Sequence, residues 1–313
     1  MAPGIYAKDT ALFDLVHRDA QFQRVATGFG FTEGPVFNRL GFLLFSDLRS
    51  EKIHKYTVPW WEGDMTKGEL TVFREQSNRA NGLTFDHQGR LLSCETGPGR
   101  VTRTEKDGSI TVLADRWGER RGQDSQGQGK RLSSPNDLVY SIDGSIYFTD
   151  MPRPNVADAA ERTNVPALYR ITNTLTPEES ELQQVSRENP RANGIAMGPK
   201  HRKLYVADST DKNIRVHDIN DDGSLARGRL FAEMKSDLPG VPDGLKTDEE
   251  GNVYSTGPGG VWVFGADGTE LGLLVPPEPP SNLNWGAGFR GLFITARTSV
   301  YYLPARIPGT RTF

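Results

Sequence analysis

One short pattern recurs six times along this chain, and it constrains the fold more than any other feature. Each copy opens on a polar residue at the head of a strand: TEGPVF, ANGLTF, PNDLVY, ANGIAM, PDGLKT and SNLNWG. The openers are Glu33, Asn81, Asn136, Asn193, Asp243 and Asn282. Paired strand-like runs follow each one: GFLLFSD then KIHKYTV, LLSCETG then VTRTEKDGSITVLA, SIYFTD then ALYRIT, KLYVADS then IRVHDI, NVYSTG then GVWVFGADGTELGLLV, and LFITAR then SVYYL. Glycine stands eight residues after four openers, at Gly41, Gly89, Gly144 and Gly251, whereas His201 and Arg290 hold that place in the other two units. A fixed offset of this kind fits one inner strand and one hairpin turn repeated around an axis. Opener separations of 48, 55, 57, 50 and 39 residues suit four-stranded blades.

The expected fold is therefore all-β, a six-bladed β-propeller forming a single domain over 1–313 with a short N-terminal extension over about residues 1–20. Strands at this spacing, with no long amphipathic helical pattern between them, argue against a βαβ sheet. Helix-like stretches are short: residues 10–20, and 157–162 within a loop. The segment FQRVAT (22–27) precedes the first opener and can add a strand to the last blade, which would close the ring and remove an exposed edge. Two segments stand outside the repeat, GERRGQDSQGQGKR (118–131) and MPRPNVADAAERTNVP (151–166), and both flank the third opener as loops that could lid the channel.

Composition agrees with a turn-rich soluble chain: 36% hydrophobic, 34 Gly and 20 Pro in 313 residues. A net charge of −3 from 37 basic and 40 acidic residues provides no basic field for nucleic acid or for an anionic membrane. The one cysteine, Cys94, cannot form an internal disulfide. With no apolar run of signal or membrane length, the expectation is a cytoplasmic monomer or homodimer acting on a small molecule.

In a propeller the innermost strands all run the same way along the axis, so the six openers converge on one end of the channel. Two are carboxylates, Glu33 and Asp243, and Asn136 and Asn193 add amide oxygens. Hard oxygen donors carrying about two negative charges suit Ca²⁺, Mg²⁺ or Mn²⁺. Asn-Gly and Asp-Gly are also strong hairpin signals. The plain turn pairs Asp107-Gly108, Asp143-Gly144, Asp222-Gly223 and Asp267-Gly268 follow a strand, however, whereas the openers precede one. That phase favours inward-facing ligands. Asn81, Asn282 and Ser133 are candidates to touch substrate hydroxyls. Trp285, Trp117 and Phe31 are candidates for the pocket wall, with blade-core packing as the competing role. Glu95 and Arg100 either reach the pocket or form a surface ion pair. There is no GxSxG, no HExxH and no zinc spacing among the five histidines, and GQGKR lacks the first glycine of a phosphate loop.

Taken together, TEGPVF, ANGLTFDHQGRLLSCE, GKRLSSPNDLVYSIDGSIYFTD, ANGIAMG, LYVADS, PDGLKTDEEGNVY and LFITAR resemble the gluconolactonase family that includes regucalcin, with microbial gluconolactonases as the nearest likeness, from about Phe31 to Leu303. The resemblance implies one divalent cation at the channel mouth, held by Glu33, Asn136, Asn193 and Asp243. Ca²⁺ is the expected ion, with Mg²⁺, Mn²⁺, Zn²⁺ and Fe²⁺ as alternatives. It further implies hydrolysis of a sugar lactone, with Asp243 as general base. A calcium-dependent phosphotriesterase or arylesterase, and a non-catalytic calcium-binding scaffold, are the competing functions. The chain departs from the family pattern at Ser134, where regucalcin-like members carry Arg, at Thr96, where microbial members often carry His, and in NLNWGAGFRG of the last unit.

Overall fold

The computed structural model describes residues 1–118, 129–176 and 179–311. Among these residues the strands form six antiparallel blades around an axis and one short ribbon, Arg116–Trp117 with Lys130–Arg131. The blades begin with the inner strands Thr32–Asn38, Ala80–Phe85, Pro135–Tyr140, Ala192–Met197, Leu245–Thr247 and Pro280–Gly286, in chain order. Each inner strand packs on the inner strand of the next blade, and the sixth packs on the first.

Apolar residues fall on both faces of the middle strands because each blade is covered on both sides. Leu43 and Phe45 face the sixth blade, for example, while Leu44 and Ile53 face the second. Six buried clusters result, one in each gap between neighbouring blades. They supply the hydrophobic term that holds the ring.

The constant offset has a conformational cause. Gly41, Gly89, Gly144 and Gly251 all take left-handed backbone, with φ between 76° and 90°. His201 adopts the same region at φ 54° without a glycine. In the sixth blade the turn is displaced, so Gly288 and Phe289 carry the positive φ in place of Arg290.

The ring closes as expected: Gln23–Thr27 pairs with Ser299–Pro304, Gln23 opposite Tyr302. The residues before it are also built in. Gly4–Ala7 adds a fifth strand to the fifth blade beside Glu270–Val275. Leu12–Leu15 forms a single helical turn whose Leu12 and Leu15 enter the core between the fifth and sixth blades. The stretch 157–162 contains only a 3₁₀ turn, Ala159–Glu161. Most of the polar loop 118–131 lies outside the described residues. No helix among the described residues is long and apolar enough to cross a membrane.

Candidate metal centre

The openers reach the axis through a repeated irregularity. In five blades the register between inner and second strand shifts at the opener, between Glu33 and Val36, Ala80 and Leu83, Pro135 and Leu138, Ala192 and Ile195, and Pro280 and Asn282. Such bulges re-aim a side chain out of the pleat. In the fifth blade Asp243 and Gly244 precede the strand and are held by Asp243 N–H to Thr256 O (3.2 Å) and Thr256 N–H to Gly244 O (2.9 Å).

The glycine after the opener has a steric reason. A Cβ on Gly34 would overlap Asn81 O, one on Gly82 would meet the backbone of Asn136 and Asp137, one on Gly194 would overlap Asp243 O, and one on Gly244 would overlap Asn282. Each glycine therefore marks where one opener passes the backbone of the next. Gly82, Gly194 and Gly244 do this without positive φ, so they are not hairpin glycines.

Two further devices fix the openers. A girdle of hydroxyls links neighbouring blades: Ser46 Oγ donates to Asn81 O (2.9 Å), Thr149 Oγ1 to Asn193 O (2.7 Å), Ser209 Oγ to Pro242 O (2.7 Å), Thr256 Oγ1 to Ser281 O (2.8 Å) and Ser281 Oγ to Thr32 O (2.7 Å). Acidic residues closing the second strands then hold the loop that leads into each opener. Asp47 accepts from Gly30 and Phe31 N–H, Asp150 from Ser133 and Ser134 N–H, and Asp208 from Arg191 N–H. The sequence signal for this device was present in FSD, FTD and VAD, but it lies one strand away from the residues it positions.

Glu33 is 3% exposed; its Oε2 accepts from Asn282 Nδ2 (3.0 Å) and Gly34 N–H (2.9 Å). Burial nevertheless raises its carboxyl from the ordinary 4.5 to about 7, with the Asp137 charge adding to the rise. Asp243 lies partly open to the channel, but surrounding protein raises it well above the usual carboxylate range. The charges of Glu33 and Asp137 push the same way, and a hydrogen bond from the Asn193 amide opposes them. Asn193 is 5% exposed and gives Nδ2 to Ser209 Oγ (2.9 Å), which leaves its Oδ1 buried with no partner. Asn136 is half-buried, its Nδ2 3.8 Å from Met151 Sδ.

Two charged neighbours were not anticipated. Asp137, 3% exposed, stands where other blades carry the close-approach glycine, and its Oδ2 is buried without a partner. Lys246, half-buried on the fifth inner strand, is near enough to Glu33 to oppose its rise. The charge of Asp137 thus acts on both Glu33 and Asp243 at one end of the channel, where the amide oxygen of Asn193 is orphaned. Groups in this state favour a cation in their midst. The donors are hard oxygens, which fits Ca²⁺ or Mg²⁺. No cluster of three His, Cys, Asp or Glu arranged to hold a metal occurs among the described residues, so any centre here draws on the amides.

The substrate candidates divide. Asn81 lies in the opener ring, 8% exposed. Asn282 lies there too, but its amide is committed to Glu33 and to Leu283 N–H (2.8 Å). Ser133 is fully buried: its hydroxyl accepts from Asn164 N–H (2.6 Å) and pairs with Thr163 (2.8 Å), so it anchors the 151–166 segment. Trp285 takes the packing role. Its ring sits in the core between the fifth and sixth blades, edge-on to Tyr254, and its N–H reaches Thr247 O (2.7 Å). Glu95 is fully buried and ties Arg74, Asn78, Arg100 and Thr102 together; it does pair with Arg100 (2.7 Å), as an ion pair buried on the Glu95 side. Trp117 packs edge-on to Tyr169 beside the short ribbon.

Residues 31–298 match the family model described as SMP-30/Gluconolactonase/LRE-like region. A gluconolactonase of Zymomonas mobilis is 29% identical over 294 residues, covering 88% of this chain and 79% of its own. An L-arabinolactonase of Azospirillum brasilense is 34% identical over 120 residues, 37% of this chain and 38% of its own. Among solved structures, a gluconolactonase from Xanthomonas campestris superposes with TM-score 0.79 at 27% identity, covering 97% of this chain and 96% of its own. A calcium-binding regucalcin from Agrobacterium tumefaciens shares the fold, with TM-score 0.71 at 16% identity and coverage of 93% and 95%. The motifs, the six-bladed ring and a family match spanning most of the sequence agree, and the chain belongs to the SMP-30/gluconolactonase/LRE-like family.

Proposed function

We propose that the protein is a metal-dependent hydrolase that opens a sugar lactone at the opener end of its channel. The observation that carries this reading is the meeting of two raised carboxylates, the buried Glu33 and the partly open Asp243, with the partnerless oxygen of Asn193, in a chain whose relatives are named as lactonases. Glu33, Asn136, Asn193 and Asp243 would hold the cation, Ca²⁺ being the favoured ion. When bound, the cation supplies Lewis-acid polarisation of the lactone carbonyl and stabilisation of the oxyanion.

The protein's own groups supply the rest. Glu33 is fixed from two sides, by Gly34 N–H and the Asn282 amide, which suits a ligand and not a proton carrier. Asp243 is partly open to the channel, can take a proton from an attacking water, and is steadied by Asn193. Asn81, in the same ring, can orient a ring hydroxyl.

The test is pH-stat titration of gluconolactone, other aldonolactones and an aryl ester, with chelated protein and with single cations restored. Cation-dependent lactone turnover that disappears in Glu33→Ala supports the reading. Cation binding without turnover of any lactone or ester would sink it and leave a calcium-binding scaffold.

A further inference from the structure

The 151–166 segment leaves the third blade beside Asn136 and crosses the opener end to the second blade. Arg153 Nη1 donates to Thr96 O (3.1 Å) and Arg162 Nη2 to Gly97 O (2.9 Å). Arg79 approaches the same two residues from beneath. Its carbonyl accepts from Thr96 N–H (3.2 Å) and Thr96 Oγ1 (2.9 Å), and a Cβ on Gly97 would lie 3.7 Å from Arg79 Cδ. Three arginines therefore converge on the Thr96-Gly97 dipeptide, and one of them, Arg79, lies two positions before the opener Asn81.

Their counter-charges are unevenly shared. Arg162 takes Asp158 through Nε (3.0 Å) and Nη2 (2.8 Å), and Arg131 takes the same carboxylate (2.9 Å). Among the described residues neither Arg79 nor Arg153 has a carboxylate partner. Arg79 is exposed, and it holds left-handed backbone at φ 57°, a conformation that costs a non-glycine residue about 1–2 kcal/mol. Arg153 is half-buried with one N–H used out of five, and burial together with the charges of Arg162 and Arg79 lowers its affinity for its own proton. A polyol that is neutral throughout would be matched by hydroxyl and amide groups. Two guanidinium groups without a direct ion-pair partner, Arg153 feeling the Asp158 charge only at a distance, match an anion.

We infer that the lactone handled here carries a second, anionic group remote from the ring carbonyl, a carboxylate or a phosphate ester, and that Arg79 and Arg153 hold it. This rests on the lactonase reading for the reaction, but the anion site can be tested without turnover. The charges of Glu33, Asp137 and Asp243 repel such a group, so it lies on the arginine side while the ring carbonyl lies over the axis.

The experiment has two arms. In the first, gluconate, 6-phosphogluconate and glucarate are titrated calorimetrically into Ca²⁺-loaded protein. The doubly anionic acids should bind about 10- to 100-fold more tightly than gluconate. Arg79→Gln, a surface change, and Arg153→Gln should each remove most of that preference, while Arg153→Lys keeps part of it. In the second arm, kcat/KM is compared for gluconolactone, its 6-phosphate ester and glucarolactone. The preferred anion names the substrate class, and the two variants should lower kcat/KM for the anionic lactone far more than for gluconolactone. Equal affinity for all three acids, or a preference that survives both Gln variants, overturns the inference. Tight, arginine-dependent binding of the acids with no lactone turned over keeps the anion site and sinks the hydrolase reading instead.

Discussion

The two ends of the channel are built from the same six strands and differ in nearly every other respect. At the opener end the strands contribute Glu33, Asn81, Asn136, Asn193, Asp243 and Asn282. A few residues on, the same strands contribute Val36, Leu83, Leu138, Met197 and Trp285, together with Lys246 and Asn284, to a small cavity of mixed lining. The C-terminal residues strap that far end: Thr310 N–H bonds Thr247 O (2.9 Å), Thr310 Oγ1 bonds Asp248 O (2.6 Å), and Gly309 N–H bonds Phe289 O (2.8 Å). One end keeps polar groups short of partners and the other satisfies them. The end where burial is left uncompensated is the one proposed for the chemistry.

The largest test of that contrast removes a ligand. Glu33→Ala or Asp243→Ala should abolish tight calcium binding by calorimetry and lower lactone turnover by about 10³-fold, the scale of a lost Lewis acid. Retention of both properties would erase the distinction between the ends.

The next test uses pH. In the metal-free protein the folded carboxyl of Glu33 titrates near 7 against 4.5 when free, and burial raises Asp150 in the same direction to about 7. The folded state then binds more protons than the unfolded state between those values, so metal-free stability should fall as pH rises from about 4.5 to about 7, by ~3 kcal/mol for Glu33. Calcium should bind more weakly as pH falls through about 7. Chemical denaturation of Glu33→Gln, which should show a flatter profile, checks the assignment.

Smaller effects compare glycines. Gly194→Ala places a methyl on Asp243 O and should cost about 2–3 kcal/mol together with most of the calcium affinity. Gly89→Ala, in open space at φ 76°, should cost only about 1 kcal/mol and leave binding intact. At the far end, Trp285→Phe removes one of the two donors to Thr247 O, Thr310 N–H being the other. It should lower stability by about 1 kcal/mol and leave kcat/KM unchanged.

Much of this arrangement was legible in the chain. The openers could be placed by phase because each precedes a strand, and FQRVAT could be given the closing role because an unpaired edge is costly. Asp137 was not legible: it follows Asn136 as glycine follows four of the other openers, so it passed as half of a motif. Gly4–Ala7 was hidden because its partner Val275 lies at the other end of the sequence and no local alternation marks a four-residue strand. Trp285 was ambiguous for a physical reason. Three residues along an inner strand carry a side chain from the opener end of the channel to the far one, and sequence does not show where the crossover falls.

Closure of the ring by Gln23–Thr27 has a consequence for how the chain is made. Its partner Ser299–Pro304 is separated from it by 299 − 27 = 272 positions. At synthesis rates of about 5–20 residues per second, the early strand waits roughly 14–54 s with its backbone donors and acceptors unpaired. During that interval the nascent chain is an open arc with adhesive ends, and the last blade to leave the ribosome turns it into a closed ring.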